Sequence, residues 1–306
     1  MPILHSVPKA ELHLHLEGSI EPATLSELDP GLEPAEIRAK YQYVGFAGFL
    51  EGFKWATSYL RSPDDYVLIT RRLLSSLERQ NVRYAEIILS AGVVLWRKQE
   101  FAPIYEAVRN AAVESSVSVY WILDAVRHFG PDRAMDVARL AAERVNDGVV
   151  AFGIGGDEAR GPADLFGDVF EFAREQGLRL TAHAGETCGP ESVWKALDIG
   201  AERIGHGIAS VGDPALLREL RDRDIPLEVC ISSNVATGAV ADLAAHPVRR
   251  LYDAGVPIIL NSDDPAMFHT TLTREYELAR DHFGFSDQEL MELVENGFRY
   301  AFRYTK

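Results

Sequence analysis

The segment Lys9–Gly18 reads KAELHLHLEG and places His13 and His15 two residues apart between leucines. In a strand that spacing sends both imidazoles to one face and the leucines to the other. A buried imidazole needs a hydrogen-bond partner or a metal. Similar groups recur further along: His183 and Glu186 in HAGE, His206 in GHG, and Asp263 and Asp264 in NSDDP. Taken singly, each has a plain structural explanation. His-x-His can pack or hydrogen-bond, GHG can be a turn, and Asp before Pro favours turns and helix caps. Taken together, His13, His15, His183 and one of the two aspartates are the donor set of a single divalent transition metal, with zinc the chemical favourite. Water would complete the coordination, leaving further carboxyl and imidazole groups free for proton transfer.

Such residues can converge only if the elements that carry them do. Strand-like runs occur at ELHLHL, 82–90, 117–126, 149–156, 178–185, 203–207, 225–232 and 256–264. Amphipathic stretches with helical spacing separate them, among them PDDYVLITRRLLSSLERQN and PADLFGDVFEFAREQG, the latter stopped by Gly177. Eight alternating strand–helix units predict a (β/α)8 barrel in one domain spanning 1–306. Active sites of such barrels sit at the C-terminal strand ends, where the residues above fall. The gap from Leu16 to Val82 is too long for one crossover, and FAGFLEGFKWATSYL within it reads as helix. Inserted helices over the barrel mouth are therefore expected. An open doubly wound sheet would want a Gly-rich phosphate turn after the first strand, and HLEGSIEP is not one.

The formal net charge of −15 would repel a phosphate backbone, which argues against a nucleic-acid partner. Two cysteines, Cys188 and Cys230, make no disulfide framework and suit a reducing compartment. Neither a leader-like segment nor a membrane-length apolar run is present, so a cytoplasmic location is expected. His5, His128, His246, His269 and His282 lie outside the strand ends and read as surface or ordinary hydrogen-bonded histidines. His269, just behind the aspartate pair, is the one to check.

With PKAELHLHLEGS, FLEGF, GGDE, HAGE, ERIGHG, LEVCISSNVATGAV and LNSDDPAMF in this order, the chain resembles the adenosine deaminase family of the amidohydrolase superfamily. The resemblance implies hydrolytic deamination of a 6-aminopurine with one zinc ion per chain. It assigns His13, His15, His183 and Asp263 to the metal. Glu186 becomes the proton donor to purine N1, and His206 and Asp264 become partners of the attacking water. The Gly156 N–H would meet N3, Phe49 and Phe53 would gate the pocket, and Glu17 would lie toward the ribose 5′ end. Proton donation makes chemical sense, because C6 becomes electrophilic only when N1 gains a proton. Glu186 can supply it if its pKa is raised or if the proton arrives with the substrate. The fourth strand ends in GIGGDE without the lysine that bridges two metals in binuclear relatives, so one metal is expected. The cytidine-type zinc deaminases need P-C-x-x-C, and Cys188 stands alone before Gly-Pro.

Glu17, Gly153 and Ile231 depart from the residues frequent in the nucleoside enzymes of that family, Asp, Asp and Pro. All three positions bear on the substrate rather than on the metal chemistry. SSNVATGAV is nearer the nucleoside-type members than the free-adenine deaminases, so adenosine is the default substrate. The rivals are 6-aminodeoxyfutalosine and free adenine. An aryl carboxylate would want a cation, which LWRKQEF (Trp96, Arg97, Lys98) could offer unless it is only a solvated helix start. A metal-dependent hydrolase of a cyclic amide and a non-catalytic nucleoside-binding barrel are the readings from other classes. The sequence is silent on oligomeric state.

Overall fold

The computed structural model describes residues 3–304. Eight strands form one sheet in chain order: β1 (Lys9–His15), β2 (Val82–Leu89), β3 (Ser118–Val126), β4 (Val149–Gly155), β5 (Arg179–Ala184), β6 (Arg203–His206), β7 (Leu227–Val229) and β8 (Ile258–Leu260). All seven paired neighbours run parallel. Helices follow the strands, as the expected (β/α)8 barrel requires. Most strand residues are buried on both faces, which is why the runs read as nearly continuous apolar segments.

β1 and β8 close the barrel through one bridge rather than a ladder, Leu14 opposite Asp263. The His15 N–H donates to the Asp263 carbonyl (2.8 Å) and the Asp263 N–H to the His13 carbonyl (3.1 Å). Below this bridge the Asn261 side-chain oxygen accepts from the N–H groups of Leu12 (2.8 Å) and His13 (3.1 Å). It satisfies backbone donors that have no opposing strand carbonyl. The register of β1 on β2 slips between Glu11 and Leu14 at this level. The closing seam therefore carries three of the expected ligands, His13, His15 and Asp263.

Between β1 and β2 the chain forms helices Pro22–Leu28, Pro34–Lys40, Gly45–Thr57 and Pro63–Arg79. The last opens on a capping box made by Ser62 and Asp65. Helix Gly45–Thr57 presents Phe46, Phe49, Leu50 and Phe53 to the barrel mouth, the i, i+3, i+4, i+7 spacing of one helical face. Phe49 anchors it, its ring 4.9 Å from that of Phe268 behind β8.

At the opposite end the barrel is sealed by charge and by the C-terminal segment. Arg203 at the start of β6 is fully buried, with Nη1 2.7 Å from Glu86 and Nε 2.6 Å from Glu228. Its guanidinium stacks 3.7 Å from the centre of the Phe302 ring and donates to the Tyr300 carbonyl (3.1 Å). Removing this cation leaves Glu86 and Glu228 buried without the guanidinium that neutralises them. Arg203→Met should cost about 3–5 kcal/mol in urea unfolding; a loss below about 1 kcal/mol would show that the triad does not hold the barrel floor.

Candidate active site

The strand ends bring His13, His15, His183, His206 and Asp263 into one buried cluster. Hydrogen bonds on the far side of a ring determine which nitrogen faces inward. His13 Nδ1 donates to Glu228 Oε2 (2.7 Å), and His183 Nδ1 donates to the Ile154 carbonyl (3.1 Å). A carboxylate and a carbonyl can only accept, so each of these two rings turns its Nε2 toward the centre. His15 Nε2 lies 3.2 Å from His183 Nε2. Asp263 Oδ1 lies 3.4 Å from the Nε2 atoms of both His13 and His15. His13 Nε2 is buried with no hydrogen-bond partner.

This arrangement fits a cation. Burial opposes charge on His13, yet the Asp263 and Glu228 carboxylates beside it prevail and raise its pKa to about 10. A positive charge is thus favoured at the point where the donors meet. Burial, reinforced by the neighbouring imidazoles, pushes His15 down to about 4 and His183 well below the ordinary histidine value, which keeps both neutral as ligands must be. Three imidazole nitrogens and a carboxylate form a set that suits a divalent metal. Gly205 leaves room for the His13 ring, from which a Cβ at that position would stand 2.8 Å.

Glu186, Asp264 and His206 surround this cluster. Burial, then the charges of Asp263 and Glu158, hold the Glu186 carboxyl well above the usual range, which favours its protonated form. The turn that bears it is clamped by Glu158, whose carboxylate accepts from the N–H groups of Gly185 (2.8 Å), Glu186 (2.9 Å) and Thr187 (2.8 Å) and from the Ser192 hydroxyl. Burial and the adjacent Asp263 charge raise Asp264 far above an ordinary aspartate, and its Oδ1 has no partner. His206 and Asp263 both adopt left-handed backbone, φ 61° and 63°, which swings their side chains inward at the ends of β6 and β8.

A cavity of about 610 Å³ rises from this floor. Gly156, Phe49, Phe53, Glu186, His206 and Asp264 line it, together with Ser90, Asp124 and the outer residues Lys40, Lys54, Trp55, Trp96 and Arg160. Glu17 is buried behind the wall, accepting from the Ser90 N–H (3.0 Å) with its second oxygen unpartnered, and burial lifts its pKa to about 7. Of Trp96, Arg97 and Lys98, only the first two reach the cavity. Arg97 spends its guanidinium on the carbonyls of Thr57 and Ser58 (2.8 Å to the latter), which ties down the end of the Phe49 helix. His269 is exposed and turned away, whereas His128 lines the cavity and His246 is buried. Gly153 pairs in register with Asp124, whose Oδ1 stands 3.0 Å from where a Cβ at 153 would lie. The β3 carboxylate occupies the space that a side chain on β4 would need. Sequence reasoning gives no site role to Glu228, Glu158, Asp124, Asn234 or His246, although it notes Glu158 in GGDE and reads His246 as a surface or ordinary hydrogen-bonded histidine. The signal for Glu228 was its place two residues before Cys230 on a buried strand, and for Asn234 its polarity in the short helix Ile231–Ala236.

The adenosine deaminase family model matches residues 8–306. The chain is 39% identical over 303 residues to an adenine deaminase of Rhizobium leguminosarum bv. trifolii, covering 96% of this chain and 94% of the relative. It is also 39% identical over 310 residues to an aminodeoxyfutalosine deaminase of Streptomyces coelicolor, covering 97% and 80%. Among solved structures, a zinc-bound amidohydrolase of Burkholderia ambifaria superposes with a TM-score of 0.90 at 29% identity, covering 98% of this chain and 87% of that one.

A Cβ at Gly18 would fall 1.7 Å from Asp264 Oδ1, so Gly18→Ala must displace that carboxylate. A shift of this size should lower kcat by about 100-fold while metal content, read by atomic emission, stays unchanged. Wild-type turnover in the variant would remove Asp264 from the chemistry.

Proposed function

We propose, from the premise that this chain belongs to the adenosine deaminase family, that it deaminates a 6-aminopurine nucleoside extended at its 5′ end by an acidic group. The chain is a hydrolase acting on a C–N bond. The proposal concerns its substrate and the roles of its residues. One observation carries it: the cavity does not end above the metal-type floor but continues to a rim holding Lys40, Lys54 and Arg160 among Trp55, Trp96 and Phe129. A bare purine leaves that rim unused. Lys40 and Lys54 lie 5.9 Å from the centres of the Trp55 and Trp96 rings, and neither is ion-paired among the described residues. Trp96 stacks on Phe129 (5.9 Å, 22°), an aromatic surface for a flat substituent. These features favour the aminodeoxyfutalosine class, with its aryl carboxylate, over unmodified adenosine.

Zinc, held by His13, His15, His183 and Asp263, would supply Lewis-acid activation of water at neutral pH. The chain's own groups do the rest. Glu186, protonated because it is buried among acids, gives its proton to N1 and makes C6 electrophilic. Asp264, which would be ionised beside a bound divalent cation, takes the proton of the attacking water and returns it to the departing ammonia. His206 aligns that water. Gly156 offers its N–H to N3 from a left-handed turn (φ 93°) that admits the ring edge closely. Phe49 and Phe53 close over the base, and Glu17 acts on the ribose side through Ser90.

An ammonia-release assay on adenine, adenosine, 2′-deoxyadenosine, 5′-methylthioadenosine and 6-aminodeoxyfutalosine tests the substrate directly. The highest kcat/KM should fall on the last, and Lys54→Ala should lower that value while sparing adenosine. Adenine as the best substrate would overturn the reading. Glu186→Gln should lose about 10²–10⁴ in kcat with metal retained. Because the native group works as an acid with a raised pKa, activity should fall as pH rises through that value. An alkaline limb that persists unchanged in the variant would assign it elsewhere.

A further inference from the structure

Behind His206, away from the cavity, runs a buried file of polar groups that the reaction as described does not use. The backbone N–H of Val248 points at His246 Nδ1 (3.2 Å). His246 Nε2 faces Asn234 Oδ1 (3.1 Å), and Asn234 Nδ2 faces His206 Nδ1 (3.0 Å). Asn234 is fully buried and His246 nearly so. The direction of every bond in this file follows from its first member. A backbone N–H can only donate, so His246 Nδ1 is an acceptor. A neutral ring then bears its hydrogen on Nε2. That hydrogen requires the amide oxygen of Asn234 opposite it, which turns the amide NH₂ toward His206. His206 Nδ1 must accept. Burial keeps the His246 ring uncharged, lowering it to about 3.

We infer that Asn234 and His246 are positioning residues that fix His206 as its Nε2–H tautomer, presenting a donor and never a lone pair to the reaction centre. His206 Nε2 lies 3.7 Å from Glu186 Oε2 and 3.9 Å from Asp263 Oδ2. A nitrogen that carries hydrogen cannot ligate a metal, so this polarity separates His206 from the three ligand histidines beside it. The same N–H can hold the lone pair of the attacking water and so set the approach of that oxygen. The inference rests on the role proposed for His206 above, but the tautomer is measurable without any substrate. Inverting or loosening this file misplaces the donor and leaves the fold intact, the reverse of removing the acceptor behind a catalytic-triad histidine.

The test uses the metal-loaded enzyme with ¹⁵N-labelled histidine. Long-range ¹H–¹⁵N correlation should show His206 protonated on Nε2 and unprotonated on Nδ1. Asn234→Asp keeps the shape but offers His206 an acceptor. At about pH 8.5 it should move the proton to Nδ1 and lower kcat at least about 100-fold, with KM and metal content within about threefold of native. The introduced carboxyl, once protonated, would donate as the amide does, so the variant-to-native kcat ratio should rise as pH falls. For the other member of the file, His246→Gln, which can still donate to Asn234, should keep far more activity than His246→Leu at equal metal content. A native His206 carrying its proton on Nδ1 overturns the inference, whatever the substrate proves to be. So does an Asn234→Asp variant whose kcat stays within about fivefold of native from about pH 6 to about pH 9.

Discussion

Two imidazole nitrogens, those of His15 and His183, stand 3.2 Å apart on a buried floor that also receives the Asp263 carboxylate, and the rest of the molecule is built around holding them there. His183 has spent its ring hydrogen on the Ile154 carbonyl and brings only a lone pair to this point. So close an approach calls for a hydrogen donated by His15 or for a cation among the lone pairs, and the surroundings are too dry to screen them otherwise. The backbone accepts a corresponding burden. Asp263 and His206 sit in left-handed conformations that non-glycine residues seldom adopt, and glycines stand at positions where a Cβ would strike a ligand or a carboxylate. The closing seam of the barrel is the place where this is concentrated. One bridge joins β1 to β8, and its two residues flank or supply the donor atoms, so closing the fold and assembling the site are the same event.

Around that centre, hydrogen-bond polarity sorts chemically similar groups into different roles. Four histidines and several carboxyls crowd one volume, and the partner behind a ring determines what it offers in front. Acceptors behind His13 and His183 make them givers of lone pairs, whereas a donor behind His206 makes it a giver of hydrogen. Against its burial, Asp263 is held ionised by the imidazoles around it, His13 foremost, while burial and the Asp263 charge drive its neighbour Asp264 the other way. Adjacent, identical side chains thus differ in proton affinity because one of them has taken the positive partners.

The sequence made much of this legible. Each strand is a short apolar run bounded by turn residues, and the groups at their C-terminal ends stood out because imidazole and carboxylate are costly in such places. The lid helix was visible in the spacing of Phe46, Phe49 and Phe53. Residues that act from behind were not. Glu228 and Asn234 belong to a short strand and a short helix whose other members are mostly apolar or small, and nothing local says what they face. His246 lies in a loop, where histidine is ordinarily solvated, and only the packing of the chain around it reveals its bond to Asn234. Arg97 illustrates the converse. A basic residue after a strand suggests a ligand contact, but its guanidinium is committed to the carbonyls that end the lid helix. The Asp124–Gly153 pair shows why single positions mislead: the carboxylate is set by the space between two strands, and either could have carried it.

The most direct test of the account is the metal content of the purified protein, taken together with what chelation does to it. One equivalent of zinc or a similar divalent ion per chain, activity abolished by exhaustive chelation and restored by one equivalent of added zinc, is the predicted result. A metal-free preparation that deaminates its substrate at full rate in the presence of a strong chelator would contradict it.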